Sequence, residues 1–182
     1  PGIGTWTMIR GTGTAVFSPG ANFPSATVLV SEYGQKRFLW TEVNGTCSDT
    51  SSVVVNFYEQ PVANAGSGGN NCGLDFNLRA VPSRGIGTWT IESGPGSSTF
   101  SPDANSFAAK VTVTAYGTYV FRWPEVNGTC SNSSIVAVSF FQQPSANGGP
   151  GGDECDLNFI LKAVPGTEQE SGEKLMVPET PQ

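Results

Sequence analysis

The chain has 182 residues, 13% charged and 37% hydrophobic, with 23 glycines, 13 prolines and a net charge of −6. Its nine Lys and Arg are scattered singly, which argues against a nucleic-acid or anionic-membrane surface, and no apolar run approaches the ~20 residues of a membrane-spanning helix. Histidine is absent, so the usual general base and the commonest transition-metal ligand are both missing; no nucleophile stands with a base, no enzyme activity is expected, and no cofactor or metal.

In chain order, the apolar residues alternate at period 2, the mark of half-buried strands. Trp6 and Met8 open the series. Val28 and Val30 follow, then Tyr33-Gly34 as a corner, then Phe38 and Trp40. Asn44-Gly45 is a strong hairpin signal, because both residues tolerate positive φ. Val53, Val55 and Phe57 form the next row, and Gln60-Pro61 reads as a short linker. Leu74, Phe76, Leu78 and Ala80 face one way, with Asp75, Asn77 and Arg79 facing the other. No segment has helical periodicity, and the abundant Gly, Pro, Ser, Thr and Asn suit turns.

From residue 84 the series starts again. Residues 1–82 align without a gap on 84–165, and 45 of the 82 pairs are identical. Trp6, Phe38, Trp40, Leu74 and Phe76 recur as Trp89, Phe121, Trp123, Leu157 and Phe159; these ten are the expected repeat core. A period of 83 residues is too long for a solenoid and suits one small β-sandwich of six or seven strands. The chain opens at Pro1 without a signal sequence and reads as a piece excised from a longer precursor.

The ordered motifs Gly85-Ile86-Gly87-Thr88-Trp89-Thr90, Phe100-Ser101-Pro102, Tyr116-Gly117-Thr118-Tyr119-Val120-Phe121-Arg122-Trp123 and Glu125-Val126-Asn127-Gly128-Thr129-Cys130 resemble the PKD-like and immunoglobulin-like repeats of very large Bacteroidota surface proteins. So does Gln60-Pro61-Val62-Ala63-Asn64-Ala65-Gly66. The resemblance covers residues 1–165. It implies an all-β fold of tandem immunoglobulin-like (PKD-like) β-sandwiches, an extracellular, cell-surface location reached by type IX secretion, and a structural or adhesive role of the gliding-motility-associated kind. The expected partners are neighbouring repeats or copies of the same protein, with surface glycans or other cell-surface proteins as a second class.

Two registers fit the repeat. One divides the chain into 1–83 and 84–166, followed by an acidic tail at 167–182 that reads as a solvated linker. The family register instead makes 62–144 one complete domain flanked by partial ones. The orphan Leu157-Phe159-Leu161 row would then need a place to pack, on its own chain or in the gap left by the missing strands of a neighbour.

Cys47, Cys72, Cys130 and Cys155 occur two per repeat with no CxxC, which favours disulfides over zinc. The first register suggests Cys47–Cys72 with Cys130–Cys155; the family register places Cys72 and Cys130 in one domain. Other candidates have plainer readings. Glu42 and Glu125, one per repeat, read as solvated strand-end carboxylates rather than a catalytic pair. Gly66, Gly68 and Gly69 lack the following helix and Lys of a phosphate loop and read as a flexible linker. Asp75, Asp103, Asp153 and Asp156 lack calcium-loop spacing. Asn44, Asn127 and Asn132 begin glycosylation sequons, the first two better explained as turns. Trp6, Trp40, Trp89 and Trp123 are the residue type that stacks sugars, but their alternation favours a core.

Overall fold

The computed structural model describes residues 2–166; Pro1 and the acidic tail 167–182 lie outside the described residues. Thirteen strands and no helix make up the described residues.

Residues 62–144 contain two sheets packed face to face. The first holds β6 (Gly69–Cys72), β13 (Cys130–Phe141) and β12 (Gly117–Asn127), with β8 (Ile86–Gly87) and β9 (Thr90–Ser93) both paired to β12. The second runs β10 (Ser98–Ser101), β11 (Lys110–Val113), β7 (Asp75–Asn77). Every pair is antiparallel except β6 with β13, which is parallel. Counting β8 and β9 as one interrupted strand gives seven strands. The second, fourth and fifth form one sheet, and the first, third, sixth and seventh the other. That is the immunoglobulin order, and the fold is an all-β, immunoglobulin-like sandwich. Between the sheets lie Trp89, Trp123, Tyr119, Phe121, Phe140, Leu78, Val111 and Val138, all below 2% exposure. Tyr119, near the start of β12, donates its hydroxyl to Ala115 O at 3.0 Å, the tie that closes this corner in such sandwiches.

The pairing crosses residue 83. β6 and β7 come from the first copy of the sequence, yet they pair with β13 and β11 of the second.

Residues 3–57 repeat the last five of these seven strands. β1 (Ile3–Arg10), β4 (Gly34–Asn44) and β5 (Cys47–Phe57) form one sheet, and β2 (Ala15–Ser18) pairs with β3 (Thr27–Val30). Among the described residues, nothing pairs with β5 or β3 where β6 and β7 pair with β13 and β11. The same side chains are correspondingly less covered. Phe38 is buried, but Trp6, Trp40, Phe57, Val28 and Val30 are half-buried, and Val53 is 45% exposed against 5% for Val136.

The hairpins turn differently from the expectation. Asn44 and Asn127 pair in the ladder with Cys47 and Cys130. The two-residue loops are therefore Gly45-Thr46 and Gly128-Thr129. Only the glycines have positive φ, 64° and 60°. A glycine first and a negative-φ residue second is a type II′ turn, so the asparagines serve as strand ends.

Candidate functional site at the junctions between units

Two stretches lie outside the paired sheets: the linker 58–61, gripped by the β12–β13 hairpin, and the segment 145–166, which repeats the pattern of 62–83.

At the linker, the hairpin of the following unit grips the extended backbone. Asn127 Nδ2 donates to Glu59 O at 2.8 Å, and Asn132 Nδ2 to Pro61 O at 3.2 Å. Gln60 Nε2 returns a bond to Ser131 O at 2.6 Å. Arg84 pairs with Glu59 at 3.1 Å. Gly128 lies on the Tyr58 ring so closely that a Cβ there would fall 2.3 Å from a ring carbon. Cys130 Sγ sits 3.8 Å from Tyr58 O.

Beneath the grip lies Glu125, completely buried against the expectation of a solvated strand end, because Ser83 and Trp123 supply its donors in place of water. Its carboxylate accepts Trp123 Nε1 at 2.9 Å, Ser83 N at 3.1 and 3.2 Å, and the Ser83 hydroxyl. Burial pushes this carboxyl up, but the bonds from Ser83 and Trp123, with one from the Gly85 backbone, together outweigh it and hold the group below its ordinary range. Glu42, its counterpart, accepts Trp40 Nε1 at 3.0 Å and is exposed. The two glutamates belong to different sheets and form no catalytic pair.

The segment 62–83 closes the sandwich of residues 84–144. Leu78 N donates to Ala109 O, Ala80 N to Phe107 O and Val113 N to Leu74 O, each at 2.8–2.9 Å. Gly68 passes so close to β13 that a Cβ would fall 1.8 Å from Ala137 O. Its repeat counterpart, 145–166, shares the fold-back that joins its two ends but forms no strand, and among the described residues no strand pairs with it. Val81 N bonds Asn64 O at 2.8 Å, and Val164 N bonds Asn147 O at 2.9 Å. Asn64 and Asn147 each accept the amide two residues on, at 2.9 Å. Gly66 and Gly149 have φ of 74° and 75°. Yet Leu157 and Leu161 are 104% and 83% exposed, where Leu78, the counterpart of Leu161, is 1%. Gly151, the counterpart of Gly68, has nothing within 4 Å.

The four cysteines are free thiols in this structure, with Cys47, Cys72 and Cys155 exposed and Cys130 partly covered. The expected in-chain bridges Cys47–Cys72, Cys130–Cys155 and Cys72–Cys130 are thus not formed. For Cys72–Cys130 the geometry is plain: Cys72 lies opposite Phe141, eleven residues along β13 from Cys130, roughly 36 Å at the usual rise per strand residue. Cys47 starts β5, whereas Cys72 ends β6, which pairs with β13 and not with β5.

The remaining candidates sit singly. Asp75 pairs with Lys110, which holds its carboxyl below the usual range. Asp103 caps the amides of Asn105 and Ser106, and Asp156 that of Asn158. Among the described residues no three His, Cys, Asp or Glu gather as a metal site. Trp89 and Trp123 pack at 5.0 Å and 50°, buried; Trp6 and Trp40 pack at 5.1 Å and 48° in an open groove beside Pro24 and Val53. The groove is therefore the same core pair, uncovered. Lys36, buried at the position of Tyr119, was not legible as an interior residue; its Nζ reaches Tyr33 O at 3.3 Å and Thr12 Oγ1 at 3.4 Å.

No family model matches the chain, and no curated protein matches it. Among solved structures, it is similar to a three-immunoglobulin-domain segment of titin (12% identity, TM-score 0.39, covering 77% of this chain and 55% of that one). It is also similar to domains 4 and 5 of the S-layer protein SbsC (14%, 0.30, 76% and 70%). A third likeness is to an endo-fucoidan hydrolase of glycoside hydrolase family 107 (17%, 0.33), of which the chain spans 24% while 78% of this chain is covered. The immunoglobulin-like assignment rests on strand order and the Tyr119 corner, and these likenesses carry no ligand or activity across.

Proposed function

We propose that the chain is a non-enzymatic structural or adhesive module of an exported bacterial cell-surface stalk or filament, of the kind its motifs resemble in the large surface proteins of Bacteroidota. Its folding unit is 62–144. Units join end to end because each is closed by a strand pair from the segment before it, and residues 145–166 of one copy close residues 3–57 of the next.

The observation that carries this is the shared fold-back of 62–83 and 145–166 on a repeated apolar pattern, one segment docked and one with Leu157 and Leu161 open. The repeat fixes the docked register. Residues 152–155 lie parallel to Val55–Tyr58, and residues 158–160 lie antiparallel to Thr27–Leu29, as β6 and β7 do on β13 and β11. Main-chain bonds along both edges supply affinity, and the alternate apolar side chains supply specificity. Leu161, buried as Leu78 is, adds about 1.5–3 kcal/mol, and Leu157 and Phe159 add less, because their docked counterparts stay partly exposed. The fold-back at Asn147–Val164 is already formed, which removes part of the ordering cost. The first copy then gains cover for Trp6, Trp40 and Phe57.

Gly151 gives the test. Alone it tolerates a side chain; docked, it meets Val54 O as Gly68 meets Ala137 O. Gly151→Ala leaves the unfolding of the chain at low concentration unchanged and abolishes concentration-dependent association in sedimentation velocity. Association undiminished in Gly151→Ala refutes the register.

A further inference from the structure

We infer that the four thiols are paired across the junction between successive copies, Cys155 of the closing segment with Cys130 of the copy it closes, and Cys72 with Cys47 of that same copy. The inference rests on the strand-closure reading above.

One carbonyl locates each pair. In the closed unit, Cys72 lies opposite Phe141, and Phe141 O accepts Gly73 N at 2.9 Å. Tyr58 occupies the position of Phe141 in the first copy, 83 residues earlier. Docking of 145–166 therefore places Cys155 opposite Tyr58. The other side of Tyr58 O is already occupied by Cys130 Sγ, at 3.8 Å. Two thiols thus approach one carbonyl from two segments, as the partners of a disulfide must. The hairpin that carries Cys130 is held there by Asn127 on Glu59 O and Gln60 on Ser131 O, so the thiol is positioned rather than merely exposed. The same construction one repeat along sets the Asn44–Cys47 hairpin on residues 141–144 and brings Cys47 to Phe141 O, beside Cys72. The pairing accounts for why none of the four has a bonded partner within one copy.

The chemistry is thiol–disulfide exchange with a small disulfide oxidant. One cysteine thiolate attacks an oxidant sulfur and releases one oxidant thiol; the facing cysteine thiolate displaces the second. Two protein thiols become one S–S bond, two electrons pass to the oxidant, and the two protons leave on its thiols.

The test has two parts. Isotopically light and heavy full-length chains are mixed, oxidised with oxidised glutathione, and digested without reduction. Light–heavy linked peptides joining Cys130 to Cys155 and Cys47 to Cys72 are expected. Sedimentation of the same mixture under reducing conditions reads closure separately. Association with all thiols still free after oxidation overturns the pairing and leaves closure standing. A head-to-tail fusion of two copies of residues 1–166, which keeps the 83-residue period, makes the junction independent of association. In it, Cys47 and Cys130 of the first copy and Cys72 and Cys155 of the second become serine. Loss of all four remaining thiols is expected, as Cys72 of the first copy with Cys47 of the second and Cys155 with Cys130. Four free thiols in the folded fusion, or any other pairing, overturn the inference.

Discussion

Trp123 donates its indole N–H to the carboxylate of Glu125, two residues along the same strand, at 2.9 Å. Both side chains are buried, and Ser83 completes the set from the segment that closes the sandwich. The carboxylate thus ties the closing segment to the sheet it closes.

Glu125→Gln removes the charge and turns an amide N–H₂ or a single oxygen toward three donors. A loss of about 1–3 kcal/mol at neutral pH is expected, measured by urea unfolding. The pH dependence follows from the lowered carboxyl. The charged form binds its donors in the folded state, so its contribution is full above the ordinary glutamate range. It is lost as pH falls through the folded value. The native chain loses stability on acidification through this range, and Glu125→Gln flattens that slope.

Gly87 lies against the Trp123 ring, where a Cβ would fall 2.0 Å from a ring carbon. Gly87→Ala overpacks a closed core and costs about 1–3 kcal/mol. Gly4→Ala makes the same clash with Trp40, at 1.9 Å, but Trp40 is only half-buried and can shift. Thermal unfolding of the two variants shows the larger loss for Gly87→Ala.

Leu78 and Leu161 occupy one repeat position. Leu78→Ala opens a cavity in the closed unit and costs about 2–5 kcal/mol. Leu161→Ala leaves the unfolding of the dilute chain unchanged and weakens its self-association at least tenfold in sedimentation equilibrium.

These two leucines also mark where the sequence stops being legible. Period-2 alternation shows that Leu74, Phe76 and Leu78 share a face, and they do pack on one core. It does not show which half of a duplicated chain supplies the facing strands, because both halves carry the same rows. That choice is made by long-range pairing, β7 with β11 and β6 with β13. The cysteines escape for a related reason: a spacing of 25 residues describes contour length, and Cys72 sits at the far end of a long strand from Cys130. Lys36 was hidden because lysine marks a surface in most contexts; here it stands in for the corner Tyr119. Asn44-Gly45 announced a hairpin correctly, but the pairing of Asn44 with Cys47 moved the turn by one residue.

Tyr119→Phe removes the bond to Ala115 O and leaves that carbonyl short of a partner, an expected loss of about 0.5–1.5 kcal/mol in chemical unfolding. Lys36→Tyr installs the same tie in the first copy. It replaces a buried ammonium held only by two long bonds, and the first copy becomes more resistant to proteolysis.

The most direct test of closure is a titration of the reduced full-length chain with a synthetic peptide of residues 145–166, followed by tryptophan emission and sedimentation velocity. The account predicts a saturable blue shift as Trp6 and Trp40 are covered, together with a fall in self-association as the peptide occupies the open edge. An unchanged emission spectrum, with the chain monomeric at every concentration, would contradict it.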